Sequence, residues 1–312
     1  MAEKIPLLVI GGPTATGKSD VAVEVALACG GEVISADSMQ VYKFMDIGTA
    51  KVDRATRARV PHHMLDIVEP DQDFSAALYK IHATAAARDI WRRGRFPIMA
   101  GGTGLYIRAV CENFPLEEMP YDPRCRAELN ATWEARGREY MEAWLGKVDP
   151  ESAARIKDRR RIIRALEIYL LTGQQPSVIQ RHAGQANPFQ PIIFALNLPR
   201  PKLYAKINAR AESMIRQGLV GEYIELRKRG YSPHSNAMQG LGYRHCNLYL
   251  EGKWTLAEMV AHLQQDTRRY AKRQLTWFRG MQEVTWLDNS HPPATVERIL
   301  SILQEIQAGK AK

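Results

Sequence analysis

The sequence predicts an α/β fold with a parallel-sheet core and an inserted, mostly helical segment. One observation is that short apolar runs alternate with segments of helical apolar spacing; these runs are IPLLVIG, EVISA and RFPIMAGG. Buried parallel strands form continuous apolar runs of this kind, and helices usually connect them. A second observation is a charged, helix-patterned stretch from about Met119 to Asn187, after which QPIIFALNLP resumes a strand pattern. We therefore expect a core formed by residues 1–118 and 188–312, with a helical insertion at 119–187.

The first strand leads into a phosphate-binding loop. The residues GPTATGKS match G-x-x-x-x-G-K-[ST] in full, and the following SDVAVEVALAC has apolar residues at helical spacing. Glycines let backbone N–H groups surround phosphate oxygens, and the positive end of the helix dipole adds to the attraction. Lys18 supplies a cation, and the Ser19 hydroxyl can ligate Mg²⁺. The pattern predicts a P-loop NTPase-like core whose site for a diphosphate or triphosphate comprises Gly12, Pro13, Thr14, Ala15, Thr16, Gly17, Lys18 and Ser19.

The second strand, EVISA, delivers Asp37 to its carboxyl end, where binding sites gather in open α/β sheets. A carboxylate beside a phosphate loop can serve as a metal ligand, a general base or a helix cap, and position alone favours the cap. Ser38, Met39 and Gln40 follow at once. Their mixture of hydroxyl, thioether and amide groups suits contact with a nucleobase.

The third apolar run ends in AGGTG, with Thr103 where a nucleotide hydrolase often carries an acidic residue. Asp66, in a strand predicted over MLDIV, is a weak substitute, and the chain has no Asn-Lys pair of the guanine-reading kind. Thr14 and Thr103 could hydrogen-bond phosphate oxygens or form turns. The adjacent histidines of PHH point apart on a strand, which favours a structural role over metal binding.

The composition indicates a partner with many negative charges. The chain has 312 residues, of which 45% are hydrophobic, and its net charge of +9 favours nucleic acid as a partner. No apolar run approaches the roughly 20 residues of a membrane span. The segment MAEKIPLLVI leaves no room for a signal peptide, and four widely spaced cysteines suggest neither a zinc site nor disulfides. We therefore expect a cytoplasmic protein.

The positive charge is concentrated in two segments. RIKDRRRIIR, residues 155–164, carries six basic residues and one acid, a density that fits phosphate contacts. Part of this charge is expected to pair internally, because Arg164 and Glu167 lie one helical turn apart. In the helix predicted over TLAEMVAHLQQDTRRYAKRQLTWFR, one face carries Arg269, Lys272, Arg273 and Thr276. Between these segments, the glycines of SNAMQGLGYRH allow close backbone approach to a ligand, and side chains able to read or stack on bases are Gln239, Tyr243 and Arg244.

Six segments, in order along the chain, carry a resemblance to a known family: GPTATGKS, ISADSMQVYKFMDIGTAK, PHHMLDIVEP, FPIMAGGTGLYIRAV, MQGLGYRH and RRYAKRQLTWFR. Together they resemble the tRNA dimethylallyltransferases, also called tRNA isopentenyltransferases, over about residues 5–288. The phosphate loop occurs in many families, whereas D-S-x-Q-x-Y-x-x-x-x-I-G-T-A-K and K-R-Q-x-T-W-F-R are far more specific. The resemblance implies that the loop holds dimethylallyl diphosphate. The implied acceptor is N6 of the adenosine 3′ to the anticodon, in tRNAs reading codons that begin with U.

The resemblance also implies roles for individual residues. Asp37 would act as the general base, Arg210 would reach the diphosphate, and Mg²⁺ would bind at Ser19. Thr14 and Thr103 complete the predicted catalytic set. The residues predicted to contact tRNA are Asp37, Ser38, Met39, Gln40, Thr103, Arg126, Arg160, Arg161, Arg164, Gln239, Gly242, Tyr243, Arg244, Lys272, Arg273, Gln274, Thr276 and Arg279. A monomer is expected, because no long apolar seam suggests an obligate oligomer.

Two other functions remain open on the residues alone. A P-loop small-molecule kinase would use RRRIIR as a lid over ATP and would transfer a phosphoryl group. A non-catalytic RNA-binding NTPase switch would bind ATP or GTP and leave adenosine unmodified. The segment after about Ser290 predicts one amphipathic helix and a polar end, without a role in the chemistry.

Overall fold

A computed structural model describes residues 4–116, 119–181 and 187–307 of the protein. The polar end expected after the last helix and residues 182–186 of the predicted insertion lie outside the described residues. The chain divides into two compact units, residues 1–107 with 188–312 and residues 108–187. The first unit contains a β-sheet, and the elements described in the second are helices.

The sheet of the first unit has six described strands in the order β3-β2-β4-β1-β5-β6. The strands are β1 (Ile5–Gly11), β2 (Gly31–Ala36), β3 (His62–His63), β4 (Phe96–Gly101), β5 (Phe189–Asn197) and β6 (Val284–Asp288). Each of these strand pairs is parallel, and β1 lies at the centre between β4 and β5. The predicted α/β fold with a parallel core is confirmed. The loops after β1, β2 and β4 therefore meet at one edge of the sheet, where α/β proteins bind ligands.

Thirteen helices are described. In chain order they are α1 (Lys18–Cys29), α2 (Arg54–Arg59), α3 (Ala76–Arg92), α4 (Gly104–Cys111), α5 (Pro123–Val148), α6 (Pro150–Arg155), α7 (Arg159–Thr172), α8 (Pro176–Arg181), α9 (Arg200–Arg216), α10 (Leu219–Lys228), α11 (Tyr243–Leu250), α12 (Leu256–Arg279) and α13 (Pro292–Gln307). α1 and α13 bury apolar side chains against one set of strand residues that includes Leu8, Ile10 and Phe194. In the part of the chain that the structure covers, no helix is both long and apolar enough to cross a bilayer.

A second apolar cluster supports the loop that follows β2. Val41, Tyr42 and Met45 of this loop pack with buried side chains of α10, α11 and α12, among them Leu219, Tyr223, Tyr243, Met259 and Leu263. α12 begins with a capping box, in which Thr255 Oγ1 accepts from Glu258 N and Glu258 Oε2 accepts from Thr255 N. The helix that carries RRYAKRQLTWFR is thus fixed both at its start and along its apolar face.

The helical unit, residues 108–187, has a core of its own in which α5 packs against α7. Glu167 on α7 is 0% exposed, and its carboxylate pairs with the guanidinium groups of Arg126 and Arg164. The backbone N–H of Asp122 donates to the same carboxylate at 3.2 Å. The predicted internal pairing of Arg164 with Glu167 is therefore present. Arg126 joins it, because a buried carboxylate needs strong charge-assisted partners.

The strand predicted over MLDIV is wrong. Asp66 lies in a bend with a φ of +56°, outside any strand, and its carboxylate pairs with Lys51 at 2.7 Å and Arg57 at 2.8 Å. It therefore holds the loop after β2 together and does not take the position of a metal-binding carboxylate. β3 covers only the two histidines. His62 Nδ1 lies 2.8 Å from the Val60 carbonyl oxygen, and His63 Nε2 lies 2.7 Å from Glu32 Oε2. Both contacts are made within the protein, in line with the structural role that the sequence favoured.

Acid should weaken the fold through His245, a histidine of α11 that is 1% exposed. Burial and the neighbouring Arg244 lower the pKa of His245 to about 4, despite the carboxylate of Asp266 at 3.3 Å. Between pH 6.5 and 4 the unfolded chain takes up a proton here and the folded chain does not, so stability is present above pH 6.5 and falls below it. We expect this residue to cost about 2 kcal/mol of unfolding free energy between pH 7.5 and pH 5.

Urea unfolding of the wild type and of His245→Gln at both pH values tests this expectation. The variant should lose less stability on acidification, because the difference between the two proteins cancels the titrating groups that do not interact with His245. Equal losses in both proteins would assign the acid sensitivity to other residues.

Candidate active site

The phosphate loop joins β1 to α1. Gly12 has a φ of +130°, and a Cβ added there would lie 2.3 Å from the Leu196 carbonyl oxygen. Gly17 has a φ of +81° and directly precedes α1. Thr16 Oγ1 donates to the Pro13 carbonyl oxygen at 2.9 Å, and Lys18 Nζ donates to the same oxygen at 2.6 Å. These contacts fold the loop back on itself in front of the first helix, the arrangement that the motif predicts.

Two side chains from distant parts of the sequence hold this loop. Gln274 of α12 accepts a hydrogen bond from Thr14 N at 2.8 Å and donates to the Gly102 carbonyl oxygen at 2.9 Å. Asn289, after β6, donates from Nδ2 to the Thr16 carbonyl oxygen at 2.7 Å. Gln274 was predicted to contact tRNA. However, it is 4% exposed and its amide is hydrogen-bonded to Thr14 and Gly102 within the protein. Sequence reasoning missed Asn289, since no local pattern marks it.

Asp37 follows β2 and lines the cavity beside the loop. Its Oδ1 accepts from Met39 N at 2.8 Å and from Gln40 N at 3.4 Å. Residues 38–41 form turns and the next helix begins at Arg54, so Asp37 stabilises a turn and is not the helix cap considered from the sequence. Oδ2 accepts no hydrogen bond from the residues that the structure covers. One carboxylate oxygen thus fixes the turn and the other is available to a ligand.

Thr103 and Arg210 approach the same region from other elements. Thr103 Oγ1 accepts from Ser38 N at 3.0 Å, which joins the end of β4 to the turn that carries Asp37. Arg210 Nη1 on α9 lies 3.5 Å from Thr14 Oγ1, at the edge of the phosphate loop. All four residues predicted to be catalytic therefore lie at one edge of the sheet. Thr14, Asp37 and Thr103 follow β1, β2 and β4, and Arg210 comes from α9, after β5.

Thr14, Asp37 and Arg210 border a cavity of about 680 Å³ in the first unit, and Thr103 is not among its lining residues. α9 contributes Arg210 between apolar neighbours on the same helical face, Ile207, Ala211 and Met214. α12 contributes a face consisting of Leu263, Thr267, Tyr270, Arg273 and Gln274. Tyr270 was not selected from the sequence as a site residue. Its place four residues before Gln274 could have indicated that it shares this face.

The cavity holds cations in partly dehydrated surroundings. Burial and the neighbouring Arg210 lower the pKa of Lys18 to about 7, against the opposing effect of Asp37. Burial lowers the pKa of Arg210 as well, against Asp37 and Asp20. Burial and the negative charge of Asp37 raise the pKa of Tyr270, so its hydroxyl remains a donor. An anion entering the cavity would favour the charged forms of Lys18 and Arg210, so the site is electrostatically suited to a phosphate-bearing ligand.

The side chains predicted to contact tRNA differ in accessibility. The exposed ones are Arg160, Arg161, Gln239, Lys272, Arg273, Thr276 and Arg279. Arg244 is half-buried and pairs with Asp266 at 2.5 Å, while Gly242 is buried. Tyr243 is 0% exposed and donates its hydroxyl to Glu222 at 2.7 Å, so it is not available to stack on a base in this structure. Gln40 uses its amide on Ser35, Thr49 and Ala50.

Comparisons with known proteins agree on one family. A family model described as IPP transferase matches residues 40–281, and one described as isopentenyl transferase matches residues 5–60. The tRNA dimethylallyltransferase of Pelotomaculum thermopropionicum is 47% identical over 287 residues, which cover 91% of this chain and 91% of the relative.

Solved structures of related proteins give the same result. The full-length tRNA isopentenylpyrophosphate transferase of Bacillus halodurans has a TM-score of 0.73 and 40% identity, covering 98% of this chain and 97% of that one. A eukaryotic dimethylallyltransferase acting on tRNA has a TM-score of 0.85 and 26% identity, covering 98% of this chain and 80% of that one.

Proposed function

The chain belongs to the IPP transferase family of tRNA dimethylallyltransferases, and from that membership we propose the reaction, its substrates and the residues that carry it. The protein transfers a dimethylallyl group from dimethylallyl diphosphate to N6 of the adenosine 3′ to the anticodon. Its tRNA substrates read codons that begin with U. The observation that carries this proposal is one cavity bordered by a phosphate loop, two cations and a carboxylate with an unengaged oxygen. We also propose that the protein works as a monomer in the cytoplasm.

The transfer forms one C–N bond and breaks one C–O bond. The N6 lone pair attacks the allylic carbon attached to oxygen, and diphosphate leaves with the bonding electron pair. Negative charge grows on the departing oxygens, and the amides of the phosphate loop, Lys18 and Arg210 surround the position proposed for them. Preorganised charges of this kind usually make the largest single contribution to rate acceleration. Thr14 and Thr103 would hydrogen-bond phosphate oxygens at the same edge.

Asp37 is proposed to take the N6 proton. An adenine amino group is a poor nucleophile because its lone pair is delocalised into the ring, so removing the proton helps the new bond to form. Support comes from the two carboxylate oxygens, of which Oδ1 is held by the turn and Oδ2 is not. The adenine must leave the anticodon stack to reach this carboxylate, at a cost of a few kcal/mol.

The donor atoms beside the phosphate loop fit Mg²⁺. Ser19 and Asp20 line the cavity at the start of α1, and no group of three or more described His, Cys, Asp or Glu residues forms a closed metal cage. Mg²⁺ commonly takes one or two protein oxygens and completes its shell with phosphates and water. When bound there, Mg²⁺ would neutralise charge on the diphosphate.

A direct test is mass analysis of tRNA nucleosides after incubation with the protein, dimethylallyl diphosphate and Mg²⁺. We expect one adenosine per tRNA to gain a five-carbon prenyl unit, without added ATP. A tRNA with guanosine at that position should remain unmodified, and so should tRNAs that read codons beginning with other bases. ATP-dependent phosphoryl transfer with no modified adenosine would instead support the small-molecule kinase.

Binding of tRNA should weaken steeply with salt, because cations that contact phosphates release counterions when they bind. Lys272 and Arg279 are exposed on α12, where contact with the RNA backbone is proposed. Replacing both with Gln should lower the log–log salt slope by about one unit for each side chain that contacts a phosphate in the wild type. Filter binding between low and moderate salt measures the slope.

The matched control is Arg298→Gln, which removes an exposed charge on α13, outside the proposed surface. It should leave the slope unchanged. An equal change of slope per charge removed, in the double variant and in Arg298→Gln, would mean that net charge alone, and no particular surface, determines binding.

A further inference from the structure

The carboxylate of Glu222 holds the loop that follows Asp37, and it does so from outside the cavity. Glu222 on α10 accepts hydrogen bonds from three consecutive backbone N–H groups: to Oε2 from Asp46 at 2.9 Å and Ile47 at 2.8 Å, and to Oε1 from Gly48 at 3.1 Å. Its Oε1 also accepts from the Tyr243 hydroxyl at 2.7 Å. Four donors on one side chain exceed what a surface glutamate ordinarily collects, and charge-assisted bonds to backbone N–H are among the stronger ones.

The contact is closely packed. A Cβ added at Gly48 would lie 2.5 Å from Cζ of Tyr243, so only glycine lets the loop approach this ring. Burial and Glu222 raise the pKa of Tyr243 well above its usual range, so the phenol keeps its proton and remains a donor. A loop that is free to shift would not need so exact a fit.

The anchored segment leads to Asp37 through hydrogen bonds. The carbonyl oxygens of Thr49 and Ala50 lie 3.2 and 3.4 Å from Gln40 Nε2, which donates to them. Gln40 Oε1 accepts from Ser35 Oγ at 2.8 Å. Ser35 and Gln40 stand on either side of the Asp37 turn, and Gln40 N donates to Asp37 Oδ1. The path from Glu222 to the carboxylate of Asp37 is therefore continuous.

We propose that Glu222 is a positioning residue for the transfer reaction, which fixes the 46–50 segment and, through Gln40, the carboxylate of Asp37. The inference rests on the proposed function. Glu222 is absent from the cavity lining, so it acts on the rate through the loop and not by contact with either substrate. A neutral amide here would keep only one acceptor oxygen, so part of this row of donors would lose its acceptor and the segment could relax. A displacement of about 1 Å at a reacting group can cost about 10²-fold in rate.

The test is Glu222→Gln, which keeps the volume of the side chain. It replaces one acceptor oxygen with an NH₂ group that faces the N–H donors of the loop. We expect kcat to fall by about 10- to 100-fold while KM for tRNA and for dimethylallyl diphosphate stays within about threefold. Amide hydrogen exchange at Asp46, Ile47 and Gly48 should become faster. The matched control is Tyr223→Phe on the same helix. It removes a partly buried hydrogen bond from the Tyr223 hydroxyl to Asn247 Oδ1 at 2.6 Å, which does not involve the loop N–H groups, and it keeps the ring in the apolar cluster. It should lower Tm and leave kcat, measured well below Tm, unchanged.

A double-mutant cycle with Gln40→Ala tests the path itself. If Glu222 acts through Gln40, the double variant should have a kcat no lower than that of the less active single variant. Losses that multiply, or a Glu222→Gln enzyme with the wild-type kcat, would overturn the inference. A wild type that makes no prenylated adenosine would instead overturn the proposed function, so the two failures are distinguishable.

Discussion

Replacing Asp37 with Asn is expected to lower kcat by about 10²- to 10⁴-fold, the usual contribution of a general base. The amide keeps an oxygen at the Oδ1 position, so the hydrogen bonds from Met39 N and Gln40 N can remain and the turn is preserved. The loss therefore reports the missing base and not a collapsed site. Single-turnover formation of prenylated adenosine measures kcat, and tRNA affinity should stay within a few-fold. Asp37→Ala should show the same loss of kcat with these hydrogen bonds removed as well.

The matched control is Asp53→Asn. Asp53 also lines the cavity, and its Oδ1 caps α2 by accepting from Thr56 N at 2.7 Å, so the same carboxylate-to-amide change leaves a cap in place. Its kcat should remain close to that of the wild type. If Asp37→Asn kept a near-normal kcat, Asp37 would be excluded as the base and another acceptor for the N6 proton would be required.

Replacing Lys18 with Met should lower kcat/KM for dimethylallyl diphosphate by about 10²- to 10³-fold, as when one preorganised donor to a developing oxyanion is removed. Lys18 and Arg210 lie in partly dehydrated surroundings, where each charge counts for more than it does in water. Inhibition by the product diphosphate should weaken in parallel, because the same ammonium group would hold it. The affinity for tRNA should not change.

Lys202→Met is the control for this substitution. Lys202 is exposed on the first turn of α9 and does not line the cavity, so it should leave kcat/KM unaltered. An unchanged diphosphate inhibition constant in Lys18→Met would contradict the proposed grip of the phosphate loop on the leaving group.

Local patterns in the sequence were enough to predict the main strands and the phosphate loop. β1, β2, β4 and β5 are apolar runs, and their residues are mostly buried because other elements cover the sheet. β6 was not predicted, because VTWLD is not a continuous apolar run. Its residues are partly or well exposed, so the sequence there carries little apolar signal. β3 is too short, at two residues, for any periodicity to show. Asp66 was wrongly placed in a strand because MLDIV looks like one, whereas ion pairs with Lys51 and Arg57 hold it in a bend.

The supporting contacts of the site could not be read from the sequence. Gln274 bonds Thr14 across 260 residues, and Glu222 bonds the loop at Gly48 across 174 residues. A period of 3.6 residues tells which side chains share a helix face, but not which distant loop that face will meet. Gln274 illustrates the ambiguity, because the family resemblance placed it among the expected RNA contacts. Yet it shares the buried face of α12 with Ala271 and Phe278.

The bond between Asn289 and Thr16 spans 273 residues, and it has a consequence for synthesis on the ribosome. The phosphate loop is synthesised well before two of the side chains that hold it, because Gln274 follows Thr14 by 260 residues and Asn289 follows Thr16 by 273. A nascent chain therefore lacks both contacts to the loop until α12 and the segment after β6 have been translated. Chains arrested before α12 should have a less ordered phosphate loop and should bind the proposed donor more weakly than the complete sequence does.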